Sequence, residues 1–401
     1  MADILSTIAE EAAKQGISLE GVSFPRAIRL EPGAVREVAG YLRDAGHRSI
    51  LLVADERTWA AAGRDLLARL ESAGLPAACT RVKPNAAGDV VADEASVVQV
   101  LFDLQRTGAD VCVAVGSGTL HDIVRYAAYT SRIPFVSVPT AASVDGFTSR
   151  GAPLILRGEK ITVPAIGPDA IFADTDLLVR APAPMTAAGF GDMLGKITSL
   201  FDWHFEHLVS NEPYDPFVAD LTRRALQSCL DHADAIGRRD EEGVAILMKA
   251  LIESGLAMLV LGRSHPASGA EHHLSHYWEM EFIRTGRRQL LHGAKVGVAC
   301  SVIAGLYARL GEEGLPPVPP ESALYPAWQA ATGRWEEIRC LIRALPSAEE
   351  IREWLRKVQG PATLEALGIE PELLGRALRE ADRVRPGRTT LLRVYNAAIR
   401  E

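Results

Sequence analysis

Residues 110–122 read DVCVAVGSGTLHD, and this stretch decides the predicted fold class. It begins with an apolar run of strand length, and the segment Gly118–Tyr129 that follows has the apolar spacing of a helix. An apolar strand that leads through a glycine-rich turn into a helix is typical of a parallel sheet covered on both faces. The glycines also allow a phosphate to approach the backbone at the helix N-terminus, with a plain tight turn as the alternative.

The same alternation of strand and helix continues on both sides of this stretch. Further strands are predicted at Ser49–Ala54, Ala77–Val82 and Ile133–Val138, and helices at Thr58–Ser72 and Asp93–Gln105. We therefore predict an α/β domain over residues 1–180, with a Rossmann-like parallel sheet that binds a dinucleotide. In such sheets the ligand lies beyond the carboxyl ends of the strands.

The pattern changes after the proline-rich break Ala181–Pro184. Beyond the break the apolar spacing is helical almost throughout, at Thr186–His207, Phe217–Ile236, Glu242–Leu261, His272–Glu281 and His292–Leu310. This spacing predicts an all-helical second domain over residues 181–401, which follows the α/β domain in the chain.

Composition excludes several classes of protein. The net charge of -8 argues against bulk binding of nucleic acid. Five scattered cysteines without a C-x-x-C pair are typical of a reducing compartment, so a cytoplasmic location is expected. The most apolar stretch, Val244–Leu261, is interrupted by Lys249 and Glu253, which favours a buried helix over a membrane span.

Two features at predicted strand ends are candidate binding groups. Asp55 ends the first strand, where an acid can bind the hydroxyls of an adenosine ribose. A helix cap or a solvated turn residue is the alternative for that position. The loop Pro139–Gly146 is rich in hydroxyl and small side chains, as a binding loop should be, and its Asp145 precedes a glycine, so a turn aspartate is the alternative.

The second domain contains a candidate metal site. His272 and His276 are four residues apart and therefore share one face of a helix, and His292 begins another helical segment. Together with Asp192 they offer imidazole and carboxylate ligands of the kind that bind Zn, Ni or Fe. The alternatives are a helix-capping role for Asp192, placed at or near a helix start, and exposed histidines on capped helices.

Several dispersed motifs, in this order, resemble the superfamily of iron-containing alcohol dehydrogenases, glycerol dehydrogenases and dehydroquinate synthases. Within it the chain is most similar to the sn-glycerol-1-phosphate dehydrogenases, and the likeness covers roughly residues 25–310. The motifs are GSGTLHD (116–122), PTAASVDGFTS (139–149), GFGDMLGK (189–196), PASGAEHHLSHYWE (266–279) and LHGAKVG (291–297).

The resemblance implies a dehydroquinate synthase-like fold, a divalent ion of Ni, Zn or Fe, and NAD(H) or NADP(H) as the cofactor. It implies reversible reduction of dihydroxyacetone phosphate to sn-glycerol 1-phosphate by a homodimer. Asp192, His272 and His292 would be the metal ligands, and Asp145 and His276 would be catalytic and face the substrate, as would Asp192. The implied cofactor residues are Gly116, Gly118, Thr119, Leu120, His121, Asp122, Thr140, Ala141, Ala142, Ser143 and Ser149, beside the Asp55 already considered.

The chain also departs from the family pattern. Ser117 replaces a glycine of the phosphate loop, and the arginine that typically precedes Pro266–Gly269 is absent, with Arg263 close by in the sequence. Lys196, one helical turn after Asp192, either meets a phosphate or is a solvated surface charge.

Three rival functions remain open. The nearest is a polyol or glycerol dehydrogenase, or another enzyme of the superfamily that acts on an unphosphorylated substrate. A cyclase is disfavoured because dehydroquinate synthases use a glutamate where this chain has Asp192. A silent nucleotide-binding paralogue has no chemical reason to retain the aspartate and the histidines together.

Overall fold

A computed structural model describes residues 4–400 of the chain. Its strands all lie between residues 27 and 174, and most of them form a parallel sheet. The strands are β1 (Ala27–Glu31), β2 (Ile50–Ala54), β3 (Ala77–Arg81), β4 (Val111–Gly116), β5 (Phe135–Pro139), β6 (Gly151–Leu156), β7 (Glu159–Pro164) and β8 (Ala170–Asp174). Six of them form one sheet in the order β1-β8-β5-β4-β2-β3, with every neighbouring pair parallel. β6 and β7 form a separate antiparallel hairpin.

The central strands form because their residues are apolar on both faces. Every residue of β2 and β4 is buried. Leu51 and Val53 pack into the hydrophobic cluster on one side of the sheet, whereas Ile50 and Leu52 pack into the cluster on the other side. A strand buried on both faces requires helices on both faces, so the predicted α/β fold class is confirmed.

The helices alternate with these strands up to residue 178 and follow one another without further described strands after residue 182. Their bounds are α1 (Ile4–Lys14), α2 (Val38–Asp44), α3 (Glu56–Thr58), α4 (Arg64–Ser72), α5 (Glu94–Thr107), α6 (Gly118–Ser131), α7 (Thr175–Leu178), α8 (Ala183–Leu194), α9 (Lys196–Ser210), α10 (Pro216–Asp231), α11 (Ala233–Arg238), α12 (Glu241–Leu261), α13 (Ala270–Arg284), α14 (His292–Glu313), α15 (Tyr325–Gly333), α16 (Trp335–Arg343), α17 (Ala348–Lys357), α18 (Pro371–Glu380) and α19 (Leu391–Ile399).

The chain divides into two compact units. The first ends at Thr186 but also includes Arg238–Gly262, and the second comprises Ala187–Gly237 and the chain from Arg263 onward. The single boundary predicted near residue 180 differs from this division in one respect, because α12 groups with the sheet. The reason lies in its packing: α12 lies against the turn Gly146–Thr148 and against β1.

Three sheet elements were missing from the sequence-based prediction. β1 alternates buried and exposed residues at the edge of the sheet, and β8 is a buried five-residue strand that lies between β1 and β5. The β6–β7 hairpin turns at Arg157 and Gly158, whose φ angles of 54° and 79° fit a two-residue hairpin turn. Its second strand is mostly exposed, so it lacks an apolar signal.

Two helices, α12 and α14, are long and apolar enough to cross a membrane by length and composition. However, 72% of the apolar window of α12 and 78% of that of α14 are buried. Burial of this extent is typical of core helices in a folded protein, as predicted for Val244–Leu261.

The packing of α12 makes a prediction about Gly255. A Cβ added there would lie 1.4 Å from Thr148 Oγ1 and 2.9 Å from the Asp145 carbonyl oxygen. We expect Gly255→Ala to destabilise the protein by about 1–3 kcal/mol, because the helix must move away from the turn. The measurement is the midpoint of thermal unfolding.

The matched control is Gly40→Ala in α2, where an added Cβ meets nothing within 4 Å. That variant should be neutral or more stable by about 0.5–1 kcal/mol, because alanine favours the helix. Equal midpoints for the two variants would contradict the close packing of α12 on the turn.

Candidate active site

Three neighbouring strands bring the predicted cofactor residues to one edge of the sheet. Asp55 follows β2, the segment Gly116–Asp122 joins β4 to α6, and Thr140–Ser143 follow β5. β2, β4 and β5 are consecutive in the sheet and parallel, so these segments all lie at the carboxyl ends of their strands. The order in which successive strands are added to the sheet reverses between β2 and β4, because β3 lies on one side of β2 and β4 lies on the other. Doubly wound sheets bind their ligands at such a switch point.

The two glycines of the β4–α6 turn are required by packing. A Cβ at Gly116 would lie 2.4 Å from Leu120 Cδ1, and one at Gly118 would lie 2.8 Å from Val144 Cγ2. α6 begins at Gly118, so its first backbone amides face the carboxyl end of β4. The turn therefore has the helix N-terminus and the close backbone that an anion site needs.

The side chains of this turn point inward. His121 is fully buried, its Nε2 lies 2.7 Å from Ser137 Oγ, and its Nδ1 lies 2.9 Å from the Ser117 carbonyl oxygen. Burial lowers the pKa of His121 to about 4, so the imidazole is neutral near pH 7. Leu120 is also buried. Any contact of these two residues with a cofactor would therefore come from their backbone.

Asp55 caps the helix that follows β2. Its Oδ1 accepts a hydrogen bond from the Thr58 amide at 2.7 Å, and Thr58 Oγ1 accepts one from the Asp55 amide at 3.0 Å. This reciprocal pair is a capping box. The capping alternative is thus present in the structure, and a ribose contact by Asp55 stays a prediction.

The loop after β5 is held by a buried arginine. Arg125 pairs with Asp122 at 3.1 Å, and its guanidinium also donates to the carbonyl oxygens of Gly146, Phe147 and Gly151. Thr140, Ala141, Ala142 and Ser143 are all buried, and Ser149 Oγ donates to the Gly146 carbonyl at 3.0 Å. Arg125 therefore fixes the backbone that carries Asp145, a role that sequence reasoning missed.

Asp145 is also buried, and α12 holds it. Ser254 Oγ donates to Asp145 Oδ2 at 2.8 Å, one residue before the glycine that packs on the same turn. A turn aspartate needs no such partner from a distant helix. The bond orients the carboxylate, as expected for a group that must meet a ligand in one geometry.

The predicted metal ligands converge in the second unit. Asp192 Oδ1 lies 3.7 Å from His272 Nε2 and 3.8 Å from His292 Nε2. Asp192 and His272 are buried, and the His292 side chain is 28% exposed. The imidazole of His276 joins them, with ring centroids 5.6 Å from His292 and 6.1 Å from His272.

This arrangement fits a divalent ion. A tetrahedral ion with bonds of about 2.1 Å separates its ligand atoms by about 3.4 Å, close to the observed separations from Asp192 Oδ1. Two imidazole nitrogens and a carboxylate oxygen also match the donor set of Zn, Ni and Fe sites that retain open positions for substrate.

Asp192 does not stand at a helix start, so the alternative of a helix-capping role is wrong. It lies in the last turn of α8, where the helix dipole disfavours a carboxylate. Lys196, one turn later in α9, is fully buried, and its Nζ lies 3.3 Å from Asp192 Oδ1. The surface-charge alternative for Lys196 is therefore also wrong, and this lysine balances the buried carboxylate.

Glycines next to two of the candidate ligands, Asp192 and His292, allow α8 and α14 to touch. A Cβ on Gly293 would lie 1.8 Å from the Ala188 carbonyl oxygen, and a Cβ on Gly191 would lie 2.3 Å from the Gly293 carbonyl oxygen. Gly191 precedes Asp192, and Gly293 follows His292. The backbone contact of α8 with α14 therefore sets the distance between the two ligands.

A second group of potential ligands shares His292. His276, Glu279 and His292 also place one donor atom each within 4.8 Å of one another. Glu279 lies 3.5 Å from His276 Nδ1 and 3.1 Å from Lys295 Nζ. Lys295 therefore lies against Glu279, whereas the ring of His276 lies next to that of His272 in the Asp192, His272 and His292 group.

The segment after residue 310, which received no predicted chemistry, packs behind the candidate metal ligands. Asp202 Oδ1 accepts hydrogen bonds from Tyr307 Oη at 2.8 Å and from the Leu391 amide at 3.1 Å. Arg385 donates to Ser264 Oγ and Ser268 Oγ at 3.0 and 3.1 Å. Ser264 precedes the segment Pro266–Gly269, before which the family arginine was expected, and Ser268 lies within it. Arg263, the arginine close by in the sequence, pairs with Glu212.

The chain is similar to known enzymes over most of its length. It is 49% identical over 368 residues to the glycerol-1-phosphate dehydrogenase [NAD(P)+] of Geobacillus stearothermophilus, with 91% of each chain covered. It is 44% identical to the enzyme of the same name from Bacillus subtilis, with 90% of this chain and 89% of the relative covered. The family model of iron-containing alcohol dehydrogenases matches residues 29–182.

Solved structures agree with the fold. A probable glycerol dehydrogenase from Sinorhizobium meliloti superposes with a TM-score of 0.67 at 20% identity, covering 94% of this chain and 96% of the other. At this level of identity the likeness concerns the fold alone, and it supports the dehydroquinate synthase-like architecture.

The contact between α8 and α14 predicts the effect of a single methyl group. Gly293→Ala should weaken zinc binding by at least about tenfold, because the helices must separate and His292 moves away from Asp192. Gly305→Ala on the same helix is the matched control, since its Cβ meets only Ala348 Cβ at an ordinary 3.5 Å. Zinc dissociation constants are measured by competition with a chelating dye, and equal constants for both variants would contradict the role of this contact.

Proposed function

Since the chain belongs to the family of the glycerol-1-phosphate dehydrogenases [NAD(P)+], we propose that it reduces dihydroxyacetone phosphate reversibly to sn-glycerol 1-phosphate. The observation that carries this proposal is the convergence of Asp192, His272 and His292 in the helical unit of a chain so similar to these enzymes. The small phosphorylated substrate is inferred from the names of the relatives.

The proposed metal centre consists of Asp192, His272 and His292. A divalent ion bound there supplies Lewis acidity toward the oxygen atom that gains charge during the reduction. Lys196 neutralises part of the charge of Asp192, and the α8–α14 contact keeps the ligands at a fixed separation. Whether the ion is Ni, Zn or Fe depends on supply as well as on these ligands.

The proposed cofactor site lies at the carboxyl ends of β2, β4 and β5. NAD(H) or NADP(H) supplies or accepts the hydride when bound. The backbone of Gly116, Gly118, Thr119, Leu120, His121 and Asp122 would hold the pyrophosphate, and Thr140, Ala141, Ala142, Ser143 and Ser149 would line the rest, with Asp55 near a ribose. An acid at that position favours NAD(H) over NADP(H) only if it reaches the ribose hydroxyls.

Two side chains are proposed to act on the substrate. His276 shares a helix face with His272 and can deliver or accept a proton at the substrate oxygen. Its Nδ1 lies 3.5 Å from a carboxylate oxygen of Glu279. Asp145, fixed by Ser254, would accept a hydrogen bond from a substrate hydroxyl. A cytoplasmic location belongs to the same proposal and is supported by the free cysteines of the described chain. A homodimer is proposed from the family resemblance.

A comparison of two substrates tests the phosphate. We expect NADH oxidation with dihydroxyacetone phosphate to be at least about 100-fold more efficient, in kcat/KM, than with dihydroxyacetone, because a bound phosphate contributes several kcal/mol. The assay is run on metal-loaded protein with elemental analysis of the same sample. Equal efficiency on the unphosphorylated ketone would favour the alternative of a polyol or glycerol dehydrogenase.

Removing one ligand tests the metal centre. His272→Ala should abolish turnover and bound metal together, because two remaining ligands hold an ion weakly. The control is His207→Ala, an exposed histidine of α9 whose ring contacts the Glu212 carbonyl. Full metal content with intact turnover in His272→Ala would remove the ligand assignment.

Asp145→Asn separates a substrate role from a cofactor role. The amide can still accept from Ser254 but loses the charge, so we expect kcat/KM for the ketone to fall by about 10–1,000-fold. The dissociation constant for NADH, measured by fluorescence titration, should stay within about twofold of that of the parent protein. A defect confined to NADH binding would show that Asp145 lies on the cofactor.

A further inference from the structure

Glu271, the residue before His272, is buried in an unusual position. Its Oε1 lies 2.7 Å from His272 Nδ1 and accepts a hydrogen bond from the Gly269 amide, also at 2.7 Å. Its Oε2 accepts a hydrogen bond from Thr198 Oγ1 at 2.6 Å. The carboxylate is fully buried, so its three polar neighbours replace the water that it has lost.

From this geometry we infer that Glu271 is a positioning residue for the metal centre, which it serves by accepting the Nδ1 proton of His272. An imidazole that donates from Nδ1 keeps the lone pair of Nε2, and His272 Nε2 is the atom that faces Asp192. A carboxylate partner also makes the ring a stronger ligand. The inference rests on the proposed function in so far as His272 is a metal ligand.

The neighbouring histidine shows that the pairing is selective. His273 is fully buried as well, yet within the described chain neither of its ring nitrogens has a hydrogen-bond partner. Glu271 thus serves the imidazole that faces Asp192 and not the one beside it. If Glu271 served only to satisfy a buried imidazole, His273 would be as suitable a hydrogen-bond partner as His272.

Glu271 is costly to keep here, which argues for a function. A second buried carboxylate, Asp202, lies nearby and accepts the next amide of the same helix start, that of Ala270, at 2.8 Å. Two buried acids at one helix N-terminus repel each other, although the helix dipole offsets part of that cost. Asp202 accepts hydrogen bonds from the backbone and from Tyr307, whereas Glu271 lies against His272, a candidate metal ligand.

Asp202 supplies the matched control for the test. Glu271→Gln preserves size and an acceptor oxygen but removes the charge, and Asp202→Asn makes the same change at the neighbouring acid. We expect Glu271→Gln to raise the zinc dissociation constant by about 10–100-fold and to alter the visible spectrum of the cobalt-loaded protein. Asp202→Asn should leave that constant within about threefold, although it lowers the unfolding midpoint of the metal-free protein.

The inference is overturned if Glu271→Gln binds zinc within about twofold of the parent protein, or if Asp202→Asn weakens binding as much. His272→Ala separates this failure from failure of the proposed function. If His272→Ala no longer binds zinc and Glu271→Gln binds it normally, only the role of Glu271 is removed. Normal zinc in His272→Ala removes the ligand set itself.

A second measurement needs no variant to fold. In the metal-free parent protein, ¹⁵N spectra of labelled histidines report which ring nitrogen carries the proton. We expect neutral His272 to carry it on Nδ1, because Glu271 accepts it there. A proton on Nε2 of His272 would contradict the inference.

Discussion

The backbone contact between Gly191 and Gly293 is the constraint on which the candidate metal centre depends. The axes of two packed helices normally lie about 8–10 Å apart, and the side chains at the contact set that distance. Glycine at both positions removes that width, so the carboxylate of Asp192 and the imidazole of His292 can face each other at 3.8 Å. The third ligand, His272, is then brought in by α13, which packs against α14.

Around this contact the helical unit buries an unusual amount of charge. Asp192, Lys196, Glu271 and Asp202 are all fully buried, and each has a partner on a neighbouring element. Buried charges of this kind contribute little net stability, because desolvation offsets most of their attraction. Two of them act on candidate ligands, since Lys196 pairs with Asp192 and Glu271 lies against His272. Asp202 instead holds backbone amides and Tyr307. The C-terminal segment takes part through the Leu391 amide, which helps to hold Asp202.

Sequence reasoning succeeded where a local pattern reports a local structure. The parallel sheet followed from continuous apolar runs such as β2 and β4, and the helical spacing that put His272 and His276 on one face agrees with their neighbouring rings. It failed where the determinant is a tertiary contact. Nothing in the local sequence of GFGDMLGK shows that Asp192 ends a helix or that Lys196 is buried, because both facts depend on what packs against them.

Gly191 precedes Asp192 and Gly293 follows His292 in the quoted motifs. These neighbouring glycines were the available sequence signal that α8 and α14 approach each other closely. No comparable signal marks the other missed residues. Arg125 and Ser254 contact residues far away in the sequence, and Glu271 contacts the side chain next to it.

The most direct test of the central claim is anomalous X-ray scattering at the metal absorption edge, from crystals grown with zinc. The account predicts one strong peak within bonding distance of Asp192, His272 and His292. A peak bonded instead to His276, Glu279 and His292, the other group that could hold an ion, would contradict it.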